Sequence, residues 1–151
     1  MQKVNIPEIQ WESQRSPGGK FARSQRKVSE ALGRDPRSTH IDKRHPFDVD
    51  VTKIPPAAAS CPYHSHSAQW ESYVVISGRG KVRHAQGSMV VEHGDAFLFK
   101  PNEPHQLIND QNEGLLIYVI ADNPVGETCY YPDSGKWRRT AALFGAAPVP
   151  I

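Results

Sequence analysis

One stretch decides the fold of this chain: His64-Ser65-His66-Ser67-Ala68-Gln69-Trp70-Glu71-Ser72-Tyr73-Val74-Val75-Ile76-Ser77-Gly78. Two histidines one residue apart point to the same face of an extended strand, because side chains alternate along a strand. Glu71 opens a run rich in β-branched and aromatic residues, and Gly78 closes it, as in a buried strand that ends in a turn. The stretch therefore predicts two successive strands that carry two imidazoles and a carboxylate.

A second segment with a histidine lies downstream and reads Gly94-Asp95-Ala96-Phe97-Leu98-Phe99-Lys100-Pro101-Asn102-Glu103-Pro104-His105. It predicts a strand, a turn and a second strand that begins at His105. Side chains from two distant hairpins can meet only if the sheet curls into a barrel. Three imidazoles and one carboxylate suit a divalent transition metal. The predicted metal ligands are His64, His66, Glu71 and His105.

These residues and their spacing resemble the first motif of the cupin superfamily. In that motif a glycine is followed after five residues by His-x-His, then by a glutamate after three or four residues. A second glycine follows six residues later. The chain fits this pattern at His64, His66, Glu71 and Gly78, while Ala58 takes the place of the leading glycine.

The second cupin motif is matched less completely. Gly94, His105 and Asn109 fit it, but Lys100 stands in place of a proline and Asn102 in place of a turn glycine. Asparagine tolerates positive φ better than most residues, so we expect the turn at Asn102 to survive the change. The resemblance spans roughly residues 46 to 122.

The resemblance implies an all-β fold, a double-stranded β-helix or jelly-roll barrel. It also implies one divalent transition metal per chain, with manganese, iron, zinc and nickel all open. Strand alternation places Tyr73 and Val75 on the inward face of Glu71, and Leu107 and Asn109 on that of His105. Tyr73 and Lys100 are the candidate catalytic residues, and Asn109 is a further candidate near the metal.

Three segments are expected along the chain. Residues 1–45 form a basic arm with ten basic and five acidic residues, and a short helix is predicted from Ser24 to Leu32. Residues 46–122 form the barrel core, and residues 123–151 form an extension that packs on it. The acids within the arm and its few aromatic residues argue against nucleic-acid binding.

Composition predicts one domain in 151 residues, with 38% hydrophobic residues and a mean hydropathy of -0.58. No apolar run reaches membrane-spanning length, and the first residues lack the apolar core of a signal peptide. A cytoplasmic location is therefore expected. Cys61 lies three residues before His64 and could approach the metal, but we interpret it as a small buried apolar residue.

Two strings outside the barrel core extend the resemblance. Ser16-Pro17-Gly18-Gly19-Lys20 is predicted to be a turn, as is the Pro-Asp-Ser-Gly within Tyr130-Tyr131-Pro132-Asp133-Ser134-Gly135-Lys136. Together they resemble a group of small bacterial cupins of unassigned function. Some members are labelled sugar-phosphate isomerases or oxalate-decarboxylase-like proteins by similarity alone.

Two classes of function stay open. The first is a metal-dependent enzyme, such as an isomerase, decarboxylase or dioxygenase. Its substrate would be a small oxygen-rich anion: a sugar phosphate, keto acid or dicarboxylate. The second is a non-catalytic cupin that binds or senses a small ligand. In both cases we expect a homodimer, because two-fold symmetry is the commonest way to bury a flat outer sheet.

Overall fold

The computed structural model describes residues 1–139, and strands make up about half of them. The strands are β1 (Glu12–Arg15), β2 (Ala22–Lys27), β3 (Phe47–Ile54), β4 (Ala58–Ala59), β5 (Ser65–His66), β6 (Glu71–Ser77), β7 (Arg79–His84), β8 (Gly87–Glu92), β9 (Ala96–Phe99), β10 (His105–Asn109), β11 (Leu115–Asp122), β12 (Thr128–Tyr131) and β13 (Lys136–Arg139). The helical segments are a 3₁₀ turn (Ile6–Glu8), α1 (Val28–Ala31) and α2 (Ile41–Arg44).

Antiparallel pairing joins the strands into three sheets. The largest has six strands in the order β1-β2-β3-β11-β6-β9. The second has the order β4-β10-β7-β8, and a small third sheet has the order β13-β12-β5. Short antiparallel strands in packed sheets form the expected all-β double-stranded β-helix, which confirms the predicted fold class.

The core lies inside the barrel, where alternate residues of the sheets are buried. Val75 and Ile117 are each 1% exposed, and Leu107 on the second sheet is 2% exposed. Tyr73 and Asn109 are also buried, so the parity prediction for Tyr73, Val75, Leu107 and Asn109 is confirmed. The core cluster includes Tyr73 on β6 and Leu107 on β10, the strands that begin at Glu71 and His105.

The helix predicted from Ser24 to Leu32 is wrong over its first half. β2 continues to Lys27, and only Val28–Ala31 is helical. β2 pairs with β1 and β3, and Ser24, the first residue of the predicted helix, forms a hydroxyl contact of 2.8 Å with Ser13 on β1. Pairing with two strands outweighs a local helix signal.

The first 45 residues supply two strands of the largest sheet. The extension expected over residues 123–151 can be followed to Arg139, and its remainder lies outside the described residues. Within residues 1–139, none of the helices has the length and apolar character needed to cross a membrane.

Candidate metal centre

The four predicted ligands come from three strands and one bridge residue. His64 and His105 pair in an antiparallel bridge, with backbone hydrogen bonds of 3.1 and 2.8 Å. His66 ends β5, Glu71 begins β6, and His105 begins β10. One potential ligand atom from each residue lies within 4.8 Å of the others. The structure thus brings together all four residues that the sequence singled out.

The imidazole rings are held through their Nδ1 atoms. His64 Nδ1 lies 2.9 Å from the carbonyl oxygen of Pro62, and His105 Nδ1 lies 3.0 Å from that of Glu103. A carbonyl oxygen can only accept, so each Nδ1 carries the proton and donates it. In the neutral form of each ring Nε2 carries the lone pair, as in histidines that bind metals, and a metal ion would replace the contact of 2.8 Å between His105 Nε2 and Glu71 Oε2.

The Nδ1 atom of His66 also contacts an acceptor oxygen, but here the acceptor is a carboxylate. Its Nδ1 lies 2.9 Å from Glu127 Oε1. Its Nε2 lies 3.4 Å from Glu71 Oε2, yet this buried nitrogen forms no hydrogen bond with any residue in 1–139. A buried nitrogen without a hydrogen bond is a position that a metal ion would satisfy. The four side chains therefore fit a divalent metal ion.

The charges in the cluster are strongly coupled. Burial alone would raise the pKa of Glu71, but hydrogen bonding with His105 and contact with His66 hold it well below its usual range. Burial lowers the pKa of His66, but Glu127 and Glu71 outweigh that effect and raise it to about 10. Glu71 is thus ready to bind a cation, whereas metal binding must displace a proton from His66.

Glu127 is a functional residue that the sequence analysis missed. It is 3% exposed, and its carboxylate also accepts backbone N–H bonds from Ala68 at 2.9 Å and Gln69 at 3.1 Å. It immediately precedes β12, which pairs with β5 and so carries it to His66. No local motif marks this position, because only the pairing of β12 with β5 places it there.

Tyr73 is the expected catalytic residue that lies closest to the ligands. Its hydroxyl donates to Glu71 Oε2 at 2.6 Å and lies 3.1 Å from His105 Nε2. Burial raises the pKa of Tyr73 well above its usual range, and Glu71 adds to the effect. Tyr73 therefore stays protonated and can act as a hydrogen-bond donor. On the other side, the Phe99 ring stacks on His105 at 4.2 Å.

Lys100, the other expected catalytic residue, lies elsewhere. It is exposed, and its Nζ lies 5.9 Å from the centroid of the Trp70 ring. It borders neither of the two cavities next to the metal ligands. Asn109 also lies outside both cavities, where its Nδ2 donates to the carbonyl oxygens of Ile54 and Glu113. Asn109 therefore stabilises the turn between β10 and β11.

Two cavities adjoin the ligand cluster, and both are bordered by His64 and Glu71. The larger has a volume of about 660 Å³ and the smaller about 200 Å³. Cys61 borders both cavities, and its Sγ lies 3.5 Å from His64 Nδ1, so it approaches the site, but it does not belong to the cluster of four candidate ligands. Arg23 on β2 also borders both cavities and was not anticipated.

Solved structures of similar fold come from several bacteria. A protein from Acidithiobacillus ferrooxidans, provisionally named a sugar phosphate isomerase, is 21% identical with a TM-score of 0.73, covering 95% of this chain and 93% of its own. A sugar phosphate isomerase from Silicibacter pomeroyi is 22% identical with a TM-score of 0.73, covering 99% and 97%. A predicted oxalate decarboxylase from Thermotoga maritima is 18% identical with a TM-score of 0.65, covering 82% and 100%.

The match to a protein family agrees with the geometry of the site. No curated protein matches the chain. The family described as the cupin domain matches residues 50–121, a segment that contains all four candidate ligands. The double-stranded β-helix and the ligand cluster agree with this match, so residues 50–121 form a cupin domain.

Proposed function

We propose that the chain binds one divalent transition metal and acts as a metal-dependent enzyme on a small oxygen-rich anion. The observation that carries the proposal is the convergence of three imidazoles and Glu71 beside a cavity of about 660 Å³. A metal held there would polarise a carbonyl or hydroxyl oxygen of a bound substrate. Manganese, iron, zinc and nickel all suit the ligand set.

The surrounding residues have separate roles in this proposal. Glu127 fixes the ring of His66 through Nδ1, and Tyr73 holds the Glu71 carboxylate by donating to Oε2. Arg23 places a positive charge beside the cavity and favours an anionic substrate. The rings of Phe97 and Phe99 pack against Tyr73 with centroid distances of 5.2 and 6.2 Å, and these apolar side chains limit the access of water on this side.

The candidate substrates are a sugar phosphate, a keto acid and a dicarboxylate. Each carries neighbouring oxygens that can reach two positions of a metal ion. The Silicibacter pomeroyi protein of similar fold is named a sugar phosphate isomerase, which is one reason to keep sugar phosphates among them. Isomerisation, decarboxylation and dioxygenation are the reactions to be tested.

The alternative is a non-catalytic cupin that binds or senses such an anion. The position of Lys100 favours this alternative, because one of the two candidate catalytic side chains borders neither cavity beside the ligands. Product analysis after incubation with the candidate acids separates the two functions. Metal-dependent binding without any product would favour the binding module.

Metal analysis is the direct test of the proposal. Protein purified without chelator should contain about one divalent ion per chain, because four donor groups already converge. His66→Ala should lose the ion and keep the fold, since the core is apolar. The exposed His40 offers a control, and His40→Ala should keep the metal. A native protein without metal above background would end the metal assignment.

We also propose that the chain forms a homodimer and works in the cytoplasm. The outer face of the largest sheet carries exposed Leu98 and Ile120, which a second copy could cover.

A further inference from the structure

Four basic side chains border the larger cavity: Arg15, Lys20, Arg23 and Arg138. Glu71 is the only acidic side chain among the described residues that border it. Within residues 1–139, none of the four cations forms an ion pair with a carboxylate. The cavity therefore combines the candidate metal centre with four basic side chains that form no ion pair among the described residues.

Arg23 is the innermost of these cations. It is partly buried on β2, and its Nη2 donates to Gln14 Oε1 over 3.3 Å. Its Nε is buried and has no acceptor among the described residues. A buried guanidinium nitrogen without an acceptor is costly unless a ligand oxygen satisfies it. Arg23 is thus prepared to bind an anion next to His64 and Glu71.

The other cations approach from two separate hairpins. Arg15 is the last residue of β1, and its guanidinium lies close to the following turn. A Cβ added at Gly19 would be only 3.0 Å from Arg15 Nη2. Gly19 has a φ of +70°, a conformation that glycine adopts without strain. Arg138 comes from β13 at the other end of the described chain. Two unrelated segments therefore supply charge to the same cavity.

We propose that this cation cluster is a binding site for a phosphate group of the ligand. Other oxygens of the same ligand would reach the metal. The inference rests on the proposed function and narrows its substrates to a two-ended, phosphorylated compound. A phosphate dianion offers three acceptor oxygens and two charges, which match several arginine forks better than one carboxylate does. A cavity of about 660 Å³ holds both ends of such a ligand.

Titration calorimetry with three related acids tests for this phosphate-binding site. D-Glycerate has an α-hydroxy acid end alone, 3-phosphoglycerate adds a phosphate, and malate adds a carboxylate instead. Manganese-loaded protein should bind 3-phosphoglycerate about tenfold or more tighter than either other acid, the gain of one or two charge-assisted hydrogen bonds. Metal-stripped protein should keep a preference for 3-phosphoglycerate over glycerate, because the phosphate-binding site does not include the metal.

Matched variants assign the preference to the cluster. Arg23→Gln and Arg138→Gln should each reduce it to within about threefold, as expected for the loss of a charge-assisted contact. Arg26→Gln changes the same strand on the opposite face, where Arg26 stacks on Trp11 at 4.4 Å, and should leave the preference intact. Arg139→Gln is the matched control for Arg138→Gln. Both residues are exposed, so we expect both variants to keep the fold.

Each outcome decides the inference. Equal binding of glycerate and 3-phosphoglycerate, including no measurable binding of either, overturns it. Malate binding as tightly as 3-phosphoglycerate overturns the assignment to phosphate. A preference that survives both Arg23→Gln and Arg138→Gln places the phosphate elsewhere. If native protein contains no metal and metal-stripped protein still prefers 3-phosphoglycerate, the proposed enzyme function is rejected and the phosphate-binding site is retained.

Discussion

His66 Nδ1 lies 2.9 Å from Glu127 Oε1, and this contact joins residues 61 positions apart. The same carboxylate accepts backbone N–H groups of Ala68 and Gln69, in the loop that leads from His66 to Glu71. One buried acid thus orients an imidazole ring and holds the loop between two candidate ligands. Glu127 therefore links the C-terminal hairpin to the geometry of the metal centre.

Replacing Glu127 by glutamine should weaken metal binding without removing it. Partners that orient a ligating histidine typically contribute about 10–100-fold in metal affinity. Competition with a chromophoric chelator for Zn²⁺ measures the change. Glu103→Gln is a matched control: its side chain accepts the Lys100 N–H at 2.8 Å, while its backbone carbonyl, which accepts from His105, is retained. Unchanged affinity in Glu127→Gln would show that the contact does not support the site.

Two motif glycines with similar backbone angles should respond differently to alanine. Gly78 has a φ of +87° and Gly94 a φ of +92°, so both substitutions carry a cost of about 1 kcal/mol for the left-handed backbone. At Gly78 the new Cβ would lie 2.5 Å from the carbonyl oxygen of Gly114, whereas at Gly94 nothing lies within 4 Å.

Urea denaturation should therefore show a loss of about 1 kcal/mol for Gly94→Ala and about 3 kcal/mol or more for Gly78→Ala. The difference arises because a backbone carbonyl cannot move aside as a flexible side chain does. Equal losses for the two variants would mean that the strands at Gly78 and Gly114 separate easily, contrary to the close approach seen here.

The ligands could be predicted because each depends on local rules. Strand alternation places His64 and His66 together, Gly78 ends the strand that carries Glu71, and the turn at Asn102 precedes the strand that begins at His105. Glu127 and Arg23 depend instead on strand pairing between distant segments. Arg23 lies next to Ser24, which resembles a helix cap, so the local signal favoured a helix where pairing with β3 imposes a strand.

The half-buried Asp50 should make stability depend on pH. Burial raises its pKa to about 7, and Asp48 and Glu30 add to the effect. Because the folded pKa exceeds the unfolded value of 3.8, ionisation of Asp50 opposes folding. The cost is absent below about pH 4, grows as the pH rises towards 7, and is complete above it.

Asp50→Asn should accordingly be more stable than the native protein at pH 8, by at most about 4 kcal/mol, and similar to it near pH 4. Thermal unfolding at the two pH values measures the difference. Asp42→Asn, at an exposed position on α2, should give nearly the same small change at both. A gain for Asp50→Asn that is larger at pH 4 would reverse the sign and refute the assignment.

The outer face of the largest sheet predicts the dimer interface. Leu98, Ser72 and Ile120 lie in register across β9, β6 and β11, and Leu98 and Ile120 are 49% and 39% exposed. Trp70, at 42%, lies just before β6. A row of exposed apolar side chains on a sheet favours burial against a second copy, since self-association by two-fold symmetry is the commonest assembly.

Light scattering at micromolar concentration should therefore give about twice the chain mass of 16.8 kDa. Ile120→Lys and Leu98→Lys should each shift the protein towards the monomer, because an ammonium in a buried apolar contact is unfavourable. Met89→Lys introduces the same charge at a residue that is 46% exposed on the other sheet, and it should leave the dimer intact. A monomeric native protein would reject the dimer. A dimer that resists both substitutions on the largest sheet but dissociates with Met89→Lys would move the interface to the second sheet.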